Sequence, residues 1–278
     1  MNVRWERLLP HEFRERFEAL PVVYLPLGTV EWHGEHNALG LDSLKAHALC
    51  VQAAERGGGI VHPPLYGGMG GLDKPATVVL EPELAWENTL LRPWLEQLCY
   101  EFHRIGFKGI VMLTGHYGHN QQILVRETAA RLTERLQIPV LGTPEYFLAH
   151  DVGYLGDHAG VGETSLLMHL HPELVDMGRE DGEFHAATST VARGELYAET
   201  IVSRLATFAQ TLPTMDAATR EAFSEAERAL VRVQTALWRT HQPWQAWRHL
   251  IERQQFDYGK HLAAGNFAGI AALAEALR

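Results

Sequence analysis

Acidic and imidazole side chains cluster in two glycine-punctuated segments of the sequence. Glu31 and His33 are two residues apart in TVEWHGEHNALGLD, Asp42 ends that segment, and His116 stands in GHYGHNQ. Side chains two residues apart in an extended chain lie on the same side, so Glu31 and His33 can converge on one point. Carboxylates and imidazoles together suit zinc, manganese or iron, and an aspartate can bridge two ions. We therefore expect a metal centre built from these four residues.

Both segments directly follow predicted strands. The apolar runs VVYLPLG (22–28) and GIVMLTG (109–115) are typical of buried strands, and PVLG (139–142) is a third. Helical spacing predicts helices over 43–55 and about 121–136. Strands and helices thus alternate, which predicts an α/β fold with three α/β/α layers around a mostly parallel sheet. In such a fold ligands bind at the carboxyl ends of the strands, where both segments lie.

The remaining elements are a split strand, a glycine-rich loop and a helical second half. Residues 60–66 form a strand candidate interrupted by two prolines, and the loop GGMGGLDKPAT after it indicates a mobile lid or a close backbone approach. Helices are predicted from near Glu163 and over 194–210. Beyond Pro213 the composition favours helix alone. We predict a metal-hydrolase domain over 1–212 and a helical extension over 213–278, with three tryptophans that need burial on the main domain or a second subunit: Trp238, Trp244 and Trp247.

Composition excludes several classes of protein. The hydrophobic fraction of 46% and the charged fraction of 21% are those of an ordinary globular chain, and the net charge of -10 argues against a nucleic-acid partner. Two isolated cysteines give neither a disulfide framework nor a zinc ribbon. The opening MNVRWERLLPHEF lacks the apolar run of a signal peptide, and no run of about 18 apolar residues occurs. We expect a cytoplasmic protein that does not associate with membranes.

Three motifs resemble those of the creatininase (creatinine amidohydrolase) family. They are LPLGTVEWHGEHNALGLDSLKA, TGHYGHNQ and DHAGVGETSLLMHLHPELV, and they occur in the family's order. The similarity covers roughly residues 20–210 and has no counterpart for the helical tail. It implies an α/β/α fold, two divalent metal ions, hydrolysis of a non-peptide C–N bond of a small molecule, and a homo-oligomer, usually a hexamer.

The resemblance also implies roles for individual residues. One ion would be held by Glu31, Asp42 and His116, and the second by His33 and the shared Asp42. His158 would face the substrate and shuttle protons. Tyr117 matches a tyrosine that contacts substrate in creatininase.

The chain departs from creatininase at one ligand position. Creatininase has a carboxylate two residues after the histidine matched by His116, whereas this chain has Gly118. We propose that Glu163 supplies the missing ligand. A glutamate in the first turn of a helix is also stabilised by the helix dipole, so a capping role is an equal alternative for Glu163.

Charge balance makes the ligand assignment reasonable. Three carboxylates against the four charges of two divalent ions leave room for one hydroxide. A metal lowers the pKa of bound water from about 15.7 to about 7, which creates a nucleophile at neutral pH, and His158 could then protonate the leaving nitrogen. Other predicted pocket residues are Trp32 and His119, and Asp157 could orient His158 or be an exposed loop acid.

Three functions fit these residues. The first is a metal-dependent amidohydrolase that acts on a cyclic amide or a formamide. The second is a hydrolase that opens a carbocyclic keto-sugar such as a dehydro-inosose, which only substrate tests can distinguish. The third is a non-catalytic small-molecule or metal-binding protein, and the presence of His158 beside the full ligand set argues against it.

Overall fold

Parallel strands form the centre of the fold. A computed structural model describes residues 2–82, 90–238 and 243–278. The main sheet has the order β2-β1-β6-β7, and β3 pairs with the carboxyl-terminal end of β1. Its strands are β1 (Val22–Gly28), β2 (Ile60–Val61), β3 (Leu65–Tyr66), β6 (Gly109–Thr114) and β7 (Val140–Pro144). A separate parallel pair is formed by β4 (Gly68–Met69) and β5 (Val79–Glu81).

Every residue of β1, β6 and β7 is buried, because helices cover both faces of the sheet. Val22 and Tyr24 face one hydrophobic core, and Val23 and Leu25 face the other, as the two-residue period of a strand requires. The strand predicted over 60–66 is split into β2 and β3 at its two prolines, which cannot donate to the ladder.

Ten α-helices are found in the described residues. They are α1 (Pro10–Ala19), α2 (Leu41–Gly57), α3 (Leu91–Ile105), α4 (His119–Leu136), α5 (Val161–Leu170), α6 (Val191–Thr211), α7 (Ala217–Trp238), α8 (Pro243–Arg253), α9 (Tyr258–Ala263) and α10 (Phe267–Ala276). Side chains of α3 and α4 fill one core and side chains of α2 and α6 fill the other, so the three-layer α/β/α fold is confirmed. Helix α1 was not predicted. Phe13 and Phe17, four residues apart, pack from it against Phe107.

The helical extension packs onto the sheet-bearing part of the chain. Arg126 of α4 pairs with Glu227 of α7 at 3.0 Å, with both side chains buried, and the Tyr258 hydroxyl donates to the same carboxylate at 2.8 Å. Trp247 is fully buried, with its ring 6.1 Å from that of Phe147. Trp238 stacks on His119 of α4, with the ring centroids 4.7 Å apart. The side chain of Trp244 lies outside the described residues. The boundary at 212 and 213 stays a prediction.

Two sequence expectations concern cysteines and membranes. Cys50 and Cys99 are both buried and unpaired. Among the helices in the described parts of the chain, none combines the length and the apolar character needed to cross a bilayer.

Candidate metal centre

The carboxyl edge of the sheet gathers the predicted ligands. Glu31 follows β1, His116 follows β6, and Asp42 lies in the first turn of α2. A β-carbon at Gly115 would lie 2.2 Å from the backbone oxygen of Asp42. Glycine at the end of β6 therefore allows the start of α2, with Asp42, to sit directly against the edge of the sheet.

The first group of candidate ligands is Glu31, Asp42 and His116, whose donor atoms all lie within 4.8 Å of one another. Nδ1 of His116 is 3.1 Å from Oδ2 of Asp42 and 3.4 Å from Oε1 of Glu31. The other ring nitrogen of His116 donates to the Met69 carbonyl at 2.9 Å. That hydrogen bond is the usual support of a metal-binding imidazole, because it fixes the ring with Nδ1 towards the acids.

The second group is His33, Asp42 and Glu163, within the same limit. Nε2 of His33 is 3.2 Å from Oδ1 of Asp42 and 3.7 Å from Oε2 of Glu163. Nδ1 of His33 donates to the Glu31 carbonyl at 3.0 Å, and its buried Nε2 makes no hydrogen bond within the described chain. Burying such an acceptor without a partner is costly, and a cation would satisfy it.

Asp42 belongs to both groups, and each of its oxygens faces a different histidine. Six donor atoms therefore form two three-ligand sets joined by one aspartate, the arrangement in which a carboxylate bridges two ions. Carboxylate oxygens and imidazole nitrogens are the donors that zinc and manganese accept. The residues fit divalent metal ions.

The close approach of acids and imidazoles also shifts the pKa values of the candidate ligands. Burial raises the pKa of Glu31, but hydrogen bonds from His116 and His158 outweigh it and lower the pKa to about 2. Burial lowers the pKa of His116, but Asp42 and Glu31 hold it well above its ordinary value. These acids thus favour a positive charge between them, which divalent ions can supply in place of protons.

Glu163 is a buried part of this centre, and its two oxygens have different neighbours. Oε2 accepts the Ala159 amide at 2.8 Å and faces His33, whereas Oε1 receives the ammonium group of Lys45. Burial raises the pKa of Glu163 against the effect of Lys45. The residue stabilises its own turn and also presents an oxygen to the second group of ligands.

Lys45 is a site residue that the sequence analysis missed. Its side chain is fully buried on α2, one turn after Asp42, and Nζ lies 3.2 Å from Oε1 of Glu145 and 3.0 Å from the Tyr117 hydroxyl. Burial lowers the pKa of Lys45, but Glu145 and Glu163 outweigh it and raise the pKa. The sequence carried a signal, because a lysine three residues after a predicted ligand on a helix lies on the same face.

Glu145 was missed as well, although it directly follows β7 at the same edge of the sheet. Burial raises its pKa to about 7 against the effect of Lys45. Its Oε1 accepts the hydroxyls of Tyr117 at 2.9 Å and Tyr154 at 3.1 Å, and these two hydroxyls are 2.6 Å apart. Lys45, Glu145 and the two tyrosines form a buried polar network beside the ligands.

His158 lies over the centre. Its ring stacks on His33 at a centroid distance of 4.5 Å, Nδ1 is 3.1 Å from Oε1 of Glu31, and Nε2 donates to the Trp32 carbonyl at 2.8 Å. Burial lowers the pKa of His158, but the hydrogen bond with Glu31 outweighs it and raises the pKa to about 9. Since the carbonyl occupies Nε2, the nitrogen that can exchange protons is Nδ1.

The structure corrects the predicted roles of two side chains near the centre. The carboxylate of Asp157 accepts the amides of Gly162 at 2.6 Å and Glu163 at 3.0 Å, so it caps α5 and does not orient His158. Asp157 still lines the cavity over the centre. The Trp32 indole donates to Glu183 at 3.1 Å and is not among the residues that line that cavity, so it is the backbone of Trp32 that serves the site.

The glycine-rich loop approaches the ligands with its backbone. Gly71 has a φ of +139°, and a β-carbon there would lie 2.9 Å from Oε2 of Glu31. The Leu72 amide donates to that oxygen at 3.3 Å, and Met69 supplies the carbonyl that holds His116. The loop is the close backbone approach that its glycines predicted.

A cavity of about 390 Å³ opens over the centre. The ligands Glu31, Asp42, His116 and Glu163 form part of its wall together with Tyr117, His119, Asp157 and His158. Trp238 and Arg248 complete it from the helical extension, and the Trp238 ring stacks on His119 at 4.7 Å. Burial lowers the pKa of His119 to about 4, so this stack is uncharged near neutral pH.

Comparisons with known proteins agree with this site. The chain matches the sequence profile of creatinine amidohydrolases over residues 6–206. It is 30% identical over 185 residues to the creatinine amidohydrolase of Pseudomonas putida, a match that covers 57% of this chain and 67% of that protein. It is 29% identical over 171 residues to the mycofactocin precursor peptide peptidase of Mycolicibacterium smegmatis, covering 58% of this chain and 62% of that protein.

Solved structures show the same relationship. A crystal structure of creatinine amidohydrolase superposes with a TM-score of 0.64 at 26% identity, covering 76% of this chain and 98% of that one. A manganese form of creatininase superposes with a TM-score of 0.64 at 27% identity, covering 77% of this chain and 100% of that one. A mutant creatininase of Zn–Zn type matches at 25% identity with the same TM-score, covering 77% of this chain and 99% of that one.

Fold, site and comparisons together define an amidohydrolase with residues able to bind metal at the carboxyl edge of a parallel sheet. The chain belongs to the creatininase family.

Proposed function

We propose that this protein is a metal-dependent hydrolase that cleaves a non-peptide C–N bond of a small cyclic amide or formamide. The observation that carries the proposal is the pair of ligand groups joined by Asp42 beneath a cavity that His158 overlooks. Zinc, manganese or iron would be held by Glu31, Asp42 and His116 at one position and by His33, Asp42 and Glu163 at the other.

Bound divalent ions would polarise a carbonyl and lower the pKa of bound water to about 7, so that hydroxide is present at neutral pH. The protein's own part in the reaction is carried by His158. Its Nδ1 faces Glu31 and the cavity, and its Nε2–H is fixed by the Trp32 carbonyl. An imidazole held in one orientation can pass a proton to a leaving nitrogen, which otherwise departs as a poor anionic leaving group.

The buried network beside the candidate ligands contributes to their charge balance. Nζ of Lys45 lies 3.2 Å from Glu145, whose pKa is raised to about 7 by burial, so the pair is neutral when Glu145 is ionised and singly positive when it is protonated. With Glu145 ionised, the three proposed ligand carboxylates oppose two divalent ions with one positive charge to spare, which a hydroxide can neutralise. Tyr117, held by Lys45 and Glu145, presents a fixed wall to the substrate.

The size of the cavity favours a small substrate. About 390 Å³ is near the lower end of ordinary ligand pockets. The relative from M. smegmatis is a peptidase of a precursor peptide. Short peptides are therefore the alternative substrates to test beside small amides.

We propose further that the chain forms a homo-oligomer. In its support, Val78, Val79, Leu90 and Trp94 are each more than two-fifths exposed. Exposed apolar side chains grouped along one stretch of chain are typical of subunit contacts.

Metal analysis of a ligand variant tests the proposed function. His116→Ala should lower the metal content and reduce amide hydrolysis at least about a hundredfold, because it removes a ligand and leaves the acids without a cation. The matched control is His11→Ala, an exposed histidine far from the centre in sequence. Elemental analysis reads the metal, and a screen of lactams, formamides, cyclic ketones and short peptides reads the activity. Unchanged metal stoichiometry in the His116 variant would remove that residue from the site, and turnover of the ketones alone would favour the keto-sugar hydrolase.

A further inference from the structure

The extension contributes two cavity residues that the family resemblance does not account for. The profile match ends at residue 206, and the creatininase structures cover 76% and 77% of this chain while 98% and 100% of their own length is matched. Trp238 and Arg248 lie beyond that match, on α7 and α8, yet both line the cavity over the metal centre. The extension therefore supplies part of the substrate site.

Arg248 is held in place by its neighbours. Trp247, the preceding residue, is fully buried and anchors α8 against Phe147. Glu252, one turn later on the same helix, accepts Nε of Arg248 at 2.6 Å. The two terminal amino groups of Arg248 make no hydrogen bond to any described residue, and the side chain is 37% exposed. A positioned guanidinium thus keeps donors for a ligand.

A second cavity adjoins this arginine. It has a volume of about 400 Å³, shares Asp157 and Arg248 with the first, and is bounded on another side by Arg193. Asp157 is already satisfied by the amides of α5. Arg248 therefore borders both cavities, and Arg193 adds a second guanidinium group to the lining of the second one.

We propose that the substrate carries an anionic group, a carboxylate or a phosphate, on the far side of its scissile amide, and that Arg248 binds this group. The inference rests on the proposed amide hydrolysis and names the class of amide. A guanidinium matches a carboxylate or phosphate with two parallel hydrogen bonds. Trp238, stacked on the uncharged His119, offers a flat apolar wall for the part of the molecule between the two ends.

Calorimetric titration with three matched formamides tests the proposal. The probes are N-formylglycine, N-formylaminomethylphosphonate and the neutral N-formylglycinamide, each added to the metal-loaded protein. Because the metal ions also bind anions, the anionic preference is compared between variants. Arg248→Gln should lower the preference for an anionic probe over the neutral one by about tenfold or more, the worth of a charge-assisted bond. Arg253→Gln, an exposed arginine on the same helix, should leave the preference unchanged.

The outcomes separate this inference from the proposed function. Loss of preference for the carboxylate alone, or for the phosphonate alone, identifies which anion is recognised. An unchanged preference in Arg248→Gln overturns the inference, even if the wild type hydrolyses formamides. Loss of preference without hydrolysis of any amide would retain the anion site and reject the proposed function. Circular dichroism and metal content, which should match the wild type, show that the variant is folded and loaded.

Discussion

The two carboxylate oxygens of Glu163 have separate partners, and this division would allow one residue to serve both as a structural group and as the proposed ligand. One oxygen accepts a backbone amide and faces His33, and the other receives Lys45. An ammonium ion at one oxygen leaves the other to act as a single donor. In the proposed centre, a carboxylate constrained in this way would bind a cation through one atom.

Glu163→Gln should lose one of the two metal ions and keep the other. The amide is neutral and a weak ligand, whereas the set of Glu31, Asp42 and His116 is untouched. Elemental analysis after dialysis should show the stoichiometry fall from two ions per chain to one. Retention of both ions with only about 1 kcal/mol of lost stability would show that Glu163 is a helix cap.

Lys45→Met is the matched comparison for that variant. It keeps the Glu163 carboxylate but leaves buried Glu145 without its cation, so the free energy of unfolding should fall by about 3–5 kcal/mol. Two ions should remain bound, since no ligand is lost. If Glu163→Gln lowers the metal content and Lys45→Met lowers the stability without losing metal, then Glu163 is a ligand and Lys45 supports it.

At the scale of elements, the site depends on how closely helix α2 meets the sheet. Asp42 reaches both ligand groups only because the first turn of α2 lies against the ends of β1 and β6. At Gly115 that approach leaves no room for a side chain. The glycine-rich loop between β3 and β5 approaches from another side and supports His116 and Glu31 through its backbone.

Gly115→Ala should displace Asp42 and lower metal affinity by about tenfold to a hundredfold, as loss of a supporting group does. The free energy of unfolding should fall by about 1–3 kcal/mol because the core is overpacked. Gly40→Ala is the control at the same helix end, where a β-carbon would approach no closer than 3.3 Å, to the Tyr66 ring. Metal titration and denaturation give both quantities, and an unaltered metal affinity would show that α2 can shift without moving Asp42.

At the scale of the molecule, the extension meets the sheet-bearing part at a charge cluster around buried Asp151. Asp151 accepts both terminal amino groups of Arg204 on α6, at 2.5 Å and 2.9 Å, and lies 3.1 Å from Nζ of Lys260 on α9. Burial raises the pKa of Asp151, but the hydrogen bonds from Arg204 and Lys260 outweigh it and hold the pKa below its ordinary value. The pair of Asp151 with Lys260 holds α9, and with it one end of the extension that brings Arg248 to the cavity.

Asp151→Asn should lower the free energy of unfolding by about 2–3 kcal/mol at pH 7, because the largely buried guanidinium loses its counter-charge. The native pKa is depressed, so the wild-type advantage is present above the unfolded pKa of about 4 and is lost as pH falls through the native value. Denaturation of metal-free protein at pH 7 and near pH 3 should show the difference narrowing. Glu275→Gln, in an exposed pair with Arg278, should cost less than about 1 kcal/mol at either pH. A difference that widens at low pH would contradict this account.

Local patterns in the sequence determined the layers of the fold and the ligand types. Short apolar runs placed β1, β6 and β7, and the rule for parallel sheets placed Glu31 and His116 at a common edge. The same rule could have found Glu145 after β7. Helix α1 was missed because its few apolar residues form only a narrow stripe on a mostly polar segment.

Tertiary structure alone decided what surrounds the ligands. The spacing from Asp42 put Lys45 on the same face of α2, but only the packing of α2 against β6 and α5 places it among three carboxylates. Trp238 and Arg248 lie more than a hundred residues after His116 in a segment of plain helical pattern. Their place at the cavity depends on how α7 and α8 fold back over the sheet edge, and contacts between residues so distant in sequence leave no local periodicity to read.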